Sequence, residues 1–229
     1  MEVSLKSITP NAELNIVEIA RVSSSRNDKT ENPEGLINYL IKNKHWSPFQ
    51  HSYLTFEIVT SKAIGIQLLR HLSFTFQEFS QRYAKVENVE TIEFRLQAEK
   101  NRQSSTIPVG RVEQYENGFI VVERPENLID LDNDGKIFMW LDAVADNLEK
   151  TLKLYQEGLE LGIAKECTRM ILPMATETKI YMTGSIRSWI HFLEIRDDGH
   201  AQKEVQLIAK DIKKLFKVEC PIISNSLNW

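Results

Sequence analysis

A chain of 229 residues, 42% hydrophobic and 26% charged, can bury a sizeable core and has the make-up of an ordinary globular protein. A net charge of −4 excludes the broad basic field of a general nucleic-acid binder, so any anion must be caught by a local cluster of arginines. No apolar run approaches the ~18 residues of a membrane span. The start of the chain lacks a secretory pattern and two cysteines give no disulfide framework, which together predict a cytoplasmic protein with no membrane partner.

No internal repeat or low-complexity segment divides the sequence, and residues 1–229 read as a single domain. Leu14, Val17 and Ile19 mark an early helix over residues 11–22. Asn32-Pro33-Glu34 has the cap, first-turn proline and acidic charge of a helix start, and Leu36, Ile37, Leu40 and Ile41 give that helix one apolar face to about Lys44. Residues 52–60 alternate through Leu54, Phe56 and Ile58 as a strand. Ser61 then caps a helix, SKAIGIQLLRHL, that delivers Gln67, Arg70 and His71 near its C-terminal end.

Residues 84–127 are polar and poorly periodic, predicting extended segments and loops with one or two strands. Residues 136–160 keep helical spacing for over six turns, from Ile137 through Leu141, Leu148 and Tyr155 to Leu159. AKECTRMIL is a shorter helix stopped by Pro173, TKIYMTGSI a strand, RSWIHFLEIR a compact helix, and HAQKEVQLIAKDIKKLFKVEC a last amphipathic one. Helices with a few separated strands predict an α+β fold, an antiparallel sheet flanked by helices.

Most catalytic patterns fail. There is no G-x-S-x-G elbow, P-loop or G-x-G-x-x-G. His45 and His51 do not make a metal site on spacing, and we assign none. Cys167 and Cys220 read as small buried or half-buried residues, not nucleophiles. What remains is five arginines near small polar residues: Arg70, Arg82, Arg169, Arg187 and Arg196. Any one alone is most often a surface charge or an ion-pair partner; five in apolar contexts point to anion binding, since the guanidinium fork suits phosphate and planar heterocycles. If their segment is extended, Ser80 and Arg82 project to one side as a phosphate cradle. Arg169 emerges from a largely apolar helix, where an unpaired charge is costly. Arg187 and Arg196, nine apart, lie about 180 degrees from each other and address different ligands.

RHLSFTFQEFSQRY, residues 70–83, resembles the signature of the flavin-dependent thymidylate synthases, R-H-R, seven residues, then S. Arg70, His71 and Ser80 match it. ARVS at 20–23, KHWSPFQH at 44–51, AKECTRMILP at 164–173 and GSIRSWIHFLEIR at 184–196 resemble further family blocks in the family's order. The likeness covers most of the chain and is weakest between about 87 and 130.

The resemblance implies an enzyme, a methyltransferase that makes thymidylate from deoxyuridylate (dUMP) with FAD as cofactor and 5,10-methylenetetrahydrofolate and NADPH as co-substrates. It implies a homotetramer of α+β subunits with sites shared between them, and no cysteine nucleophile. Carried over by position, the dUMP residues are Gln67, Leu68, Leu69, Arg70, Glu78, Phe79, Ser80, Gln81, Arg82, Arg169 and Arg196. Arg196 is the catalytic one, at the uracil edge, where it favours ionisation at N3. The FAD residues are Ser47, Arg70, His71, Leu72, Glu78, Ser185, Ile186, Arg187 and His191. One position departs from the motif: Leu72 stands where the family has arginine, and leucine offers no hydrogen bond. Two alternatives follow. A flavin- and nucleotide-binding homologue with altered substrate or weak activity rests on Leu72; a non-catalytic nucleic-acid module using the arginines and phenylalanines of this stretch is opposed by the acidic net charge.

Overall fold

The structure, a computed structural model, describes residues 1–23, 33–101, 104–116, 118–122 and 131–229. In chain order they form strand β1 (Glu2–Ile8), helices α1 (Ala12–Ala20) and α2 (Pro33–Lys42), strand β2 (Tyr53–Ser61) and helix α3 (Lys62–Leu68). Strands β3 (Phe74–Glu78), β4 (Ile92–Gln97), β5 (Ser105–Tyr115) and β6 (Gly118–Val122) follow, then helices α4 (Leu131–Glu160) and α5 (Lys165–Thr168). Strand β7 (Glu177–Ser185) and helices α6 (Ile186–Arg196), α7 (Lys203–Glu219) and α8 (Pro221–Ser226) complete the series. The fold is α+β, with two sheets: four strands in the order β1-β2-β7-β3 and three in the order β4-β5-β6. No described helix is long and apolar enough to cross a membrane.

The chain falls into two compact units, the first comprising Met1–Val59, Ile66–Glu78 and Lys179–Trp229, the second Thr60–Gly65 and Phe79–Thr178. In the first, the period-2 alternation of β2 and β7 buries Leu54, Phe56, Ile58, Ile180 and Met182 completely. Trp189 of α6 seats on that layer. Its ring meets Phe56 at 4.9 Å, Phe74 at 4.6 Å and Phe192 at 5.6 Å, all edge-on, and its indole N–H donates to the Leu54 carbonyl at 3.1 Å. Antiparallel pairing sets Phe74 of β3 opposite Gly184 of β7. A Cβ at Gly184 would stand 2.4 Å from the Phe74 ring, so only glycine lets the ring lie there.

Two elements of this unit lack a sequence signal. Edge strand β1 buries none of its side chains fully, and α8 is a six-residue helix behind Pro221. Helix α8 is fixed from outside: the buried Glu13 carboxylate of α1 accepts the Ile223 N–H at 2.7 Å. Helix α1 turns inward with Ala12, Glu13, Ile16 and Val17; Leu14, expected on its apolar face, is exposed. Asn32, expected as the cap of α2, lies outside the described residues.

In the second unit the polar stretch expected to hold extended segments, loops and one or two strands is a three-stranded antiparallel meander, β4-β5-β6. Val112 packs with Leu141, Ala145 and Leu148 of α4, joined by Phe94, Phe119 and Val121. Helix α4 starts earlier than its periodic stretch. AKECTRMIL makes one short α-helical turn and a 3₁₀ turn (Arg169–Ile171) where a longer helix was expected.

Candidate active site

Helix α3 ends at Leu68, before the expected SKAIGIQLLRHL stretch runs out, so Arg70 and His71 sit in the turn that leads to β3. That turn is closed by the His71 N–H on the Leu68 carbonyl and the Phe74 N–H on the His71 carbonyl, both 3.1 Å. It presents the His71 ring edge-on to Phe192 at 4.9 Å and to Phe74 at 6.2 Å. From the last turn of α6, Arg196 donates Nε–H to His71 Nε2 at 3.0 Å.

Burial, then the electrostatic influence of Arg196 and of neighbouring His191, lower the His71 pKa to about 4. His71 is therefore neutral at physiological pH, accepting through Nε2 with its proton on Nδ1. The result is a cation held in place by a group that does not cancel its charge. Among the described residues, Arg196 has no carboxylate partner.

Beside this pair lies a cleft of about 490 Å³, lined by Trp46, Gln50, Ser73, Arg187, Ser188, Ile190, His191 and Glu194. Its floor is organised by the start of α6. Ser185 caps the helix by accepting the Ser188 N–H at 3.2 Å, and Ser188 Oγ donates to the Ser73 carbonyl at 3.2 Å, tying the turn before β3 to α6. Arg187 and His191, four residues apart, share the helix face that lines the cleft. Arg187 and Arg196 thus occupy different stations, as their spacing predicts. Guanidinium, imidazole and hydroxyl donors suit a pyrophosphate, and the Trp46 indole suits a planar ring, so this donor set fits a flavin dinucleotide in kind. Ser47 is exposed just before the 3₁₀ turn Pro48–Gln50, while Ser185 and Ile186 are buried. Gln50, Ser73, Ser188 and Glu194 were not singled out from the sequence. The Ser185-x-x-Ser188 spacing and Gln50 within KHWSPFQH were the available signals.

The remaining candidates differ in character. Gln67 donates to Gln202 Oε1 at 2.6 Å. Leu68 is a core side chain, Leu69 is half-buried and Arg70 is exposed. Leu72 is 95% exposed. Glu78 ends β3 in the first unit, while Phe79, Ser80, Gln81, Arg82 and Arg169 belong to the second.

The expectation of an extended Ser80–Arg82 is corrected. The Ser80 carbonyl accepts both the Tyr83 and Ala84 N–H groups, at 3.1 and 3.0 Å, so the chain turns here and the two side chains do not share a strand face. Arg82 rests 3.5 Å from Glu166 and 6.0 Å from the centre of the Tyr83 ring. Cys167, expected to be buried or half-buried, is exposed, because α5 is too short to form a packed apolar face. Arg169 is half-buried, but Met170 (78% exposed) and Ile171 beside it face outward, so the apolar burial expected around it is absent.

The family model described as thymidylate synthase complementing protein matches residues 4–222. The chain is 39% identical over 220 residues to a probable flavin-dependent thymidylate synthase of Paramecium bursaria Chlorella virus 1, covering 95% of this chain and 91% of the viral protein. It is 41% identical over 215 residues to the flavin-dependent thymidylate synthase of Synechocystis, covering 93% and 88%. It is 33% identical over 206 residues to that of Thermosipho africanus, covering 90% and 81%.

Proposed function

The chain belongs to the thymidylate synthase complementing protein family, that of the flavin-dependent thymidylate synthases, and on that premise we propose how its own residues divide the work. The activity is FAD-dependent synthesis of thymidylate, a methyl transfer to a pyrimidine nucleotide. We assign dUMP as acceptor, 5,10-methylenetetrahydrofolate as methylene donor and NADPH as reductant, in a cytoplasmic enzyme whose residues 1–229 act as one functional domain.

FAD, when bound, supplies the hydride chemistry. Arg187 and His191 would hold its phosphates, with Ser47, Ser185, Ile186, Arg70, His71, Leu72 and Glu78 as the other contacts expected by resemblance. Trp46 shields the cleft from water. Gln67, Leu68, Leu69, Arg70, Glu78, Phe79, Gln81 and Arg169 take the nucleotide, with Ser80 and Arg82 on its phosphate.

Arg196 carries the reading. Its guanidinium, held by the neutral His71, meets the uracil edge and stabilises negative charge at N3 and the neighbouring oxygens. No covalent role falls to either cysteine; burial pushes the Cys220 thiol far up, out of thiolate range. A homotetramer with shared sites is supported by the apolar surface of the second unit, where Leu161 and Met170 are 79% and 78% exposed.

The test is direct. The purified protein, incubated with dUMP, 5,10-methylenetetrahydrofolate and NADPH, forms thymidylate, and Arg196→Gln lowers the rate by roughly 100-fold or more. Failure of the unaltered protein to form thymidylate while still binding FAD and dUMP favours the second reading, a homologue of altered substrate or weak turnover. Leu72, exposed where the motif has arginine, is the observation behind that reading.

A further inference from the structure

Arg196-Asp197-Asp198 places two carboxylates directly after the arginine assigned to the uracil edge. Uncompensated negative charge so close would weaken the field of that cation toward an anionic ligand. The structure diverts both. Asp197, the residue that closes α6, accepts from Lys213 Nζ of α7 at 2.9 Å, with both side chains largely shielded (25% and 17% exposed for lysine and aspartate). The same ammonium lies 4.8 Å over the ring of Trp229, which in turn stands edge-on to Phe216 at 5.6 Å. Lys213 is thus seated between a carboxylate and an aromatic face, both attractive to a cation. Asp198 takes the backbone N–H and the ring Nδ1 of His200, at 2.8 and 2.6 Å. Arg196 itself donates to the neutral His71 and, among the described residues, has no carboxylate partner.

We propose that Lys213 is a positioning residue of the nucleotide site: by holding Asp197 it keeps that carboxylate's charge away from Arg196 and leaves the guanidinium available to an anionic pyrimidine ligand. The inference rests on the assignment of Arg196 to the nucleotide. The lysine touches neither substrate nor cofactor. It acts through the aspartate, and the aspartate through its field on the arginine.

The FAD-loaded protein is titrated with dUMP by calorimetry. Lys213→Met keeps an aliphatic stem against Trp229 and removes the charge; it raises the dUMP dissociation constant about tenfold, while FAD affinity, read by flavin fluorescence, stays as in the parent. Adding Asp197→Asn to Lys213→Met restores dUMP affinity to within about twofold, and Lys213→Arg retains it throughout. Lys213→Met binding dUMP like the parent overturns the proposal. So does a double variant as weak as Lys213→Met, because the lysine then acts only through packing. Arg196→Gln separates the two levels. If it too binds dUMP like the parent, the assignment of Arg196 itself fails; if it binds weakly while Lys213→Met does not, only the inference about Lys213 fails.

Discussion

The two arginine-bearing regions of this protein are built on opposite plans. In the first unit, Arg187 and Arg196 stand on one helix that buries its own Trp189, Ile190, Phe192 and Leu193, and their surroundings are tied down by His71, Ser185 and Ser188. In the second, Arg82 sits on a turn and Arg169 on a single 3₁₀ turn, with apolar side chains facing outward around the latter. The first is preorganised before any ligand arrives. The second has fewer such ties, as expected if, as proposed, it is completed by another subunit or by the nucleotide's phosphate.

The widest separation between the two plans comes from removing the support behind each. Trp189→Ala deletes a fully buried ring with three aromatic neighbours and a hydrogen bond, and costs about 3–5 kcal/mol of stability in chemical denaturation. Met170→Ala, at the exposed residue next to Arg169 in the second unit, changes stability by less than ~0.5 kcal/mol. Equal losses from the two substitutions would erase the contrast.

Next in size, two glycines respond with opposite sign. Gly184→Ala drives a methyl group into the Phe74 ring and costs about 1–3 kcal/mol, with FAD affinity falling as Phe74 displaces the His71 ring it abuts. Gly135→Ala, exposed within α4 with nothing within 4 Å of the added methyl, stabilises by about 0.5–1 kcal/mol. Thermal melting of both variants reads the signs.

How much of this was legible follows the same division. The alternation of β2, the strand TKIYMTGSI and the compact helix RSWIHFLEIR were plain, because one strongly buried face leaves a strict period in the sequence. The meander β4-β5-β6 was not, because its strands carry bulges between Phe94 and Gln97, Pro108 inside β5 and a glycine with φ of 154° at Gly110, each a strand-breaking signal overridden by packing on α4. The arginines were visible as a set. Their partners were not: His71 and Arg196 are 125 residues apart, and no spacing rule joins them. Ser80 and Arg82 misled in the other direction, since alternation in sequence implies a shared face only where the backbone is extended.

A smaller effect tests the neutral histidine on which the preorganised side depends. The unfolded imidazole takes its proton near pH 6.5, the folded one only near 4, so between those values the unfolded chain holds more protons and stability falls as the pH is lowered. The half-buried setting and solvent screening limit the loss to roughly 1 kcal/mol, and above pH 6.5 this group contributes no slope. His71→Gln flattens the dependence in urea melts run from pH 7 to 4. A His71 ring resonance that titrates near 6.5 would instead mark the imidazole as solvated and the Arg196 contact as loose.

The smallest effect concerns the loosely held arginine. Arg82 and Glu166 are both more than half exposed and 3.5 Å apart, so their attraction is screened and contributes less than ~0.5 kcal/mol to stability. Glu166→Gln therefore leaves the melting temperature nearly unchanged. Its consequence lies in binding. On the proposed roles, a lysine in the first unit takes the competing carboxylate away from the site arginine; here the carboxylate remains beside Arg82, and a phosphate binding there would have to displace it. Removing that competitor tightens dUMP about two- to threefold at low ionic strength, with the gain fading as added salt screens the glutamate in the parent protein. Titrations at about 20 and 200 mM salt distinguish the cases. A gain that persists at the higher salt would show that Glu166 blocks Arg82 by contact and not by charge, and would move Arg82 toward the rigid plan of the first unit.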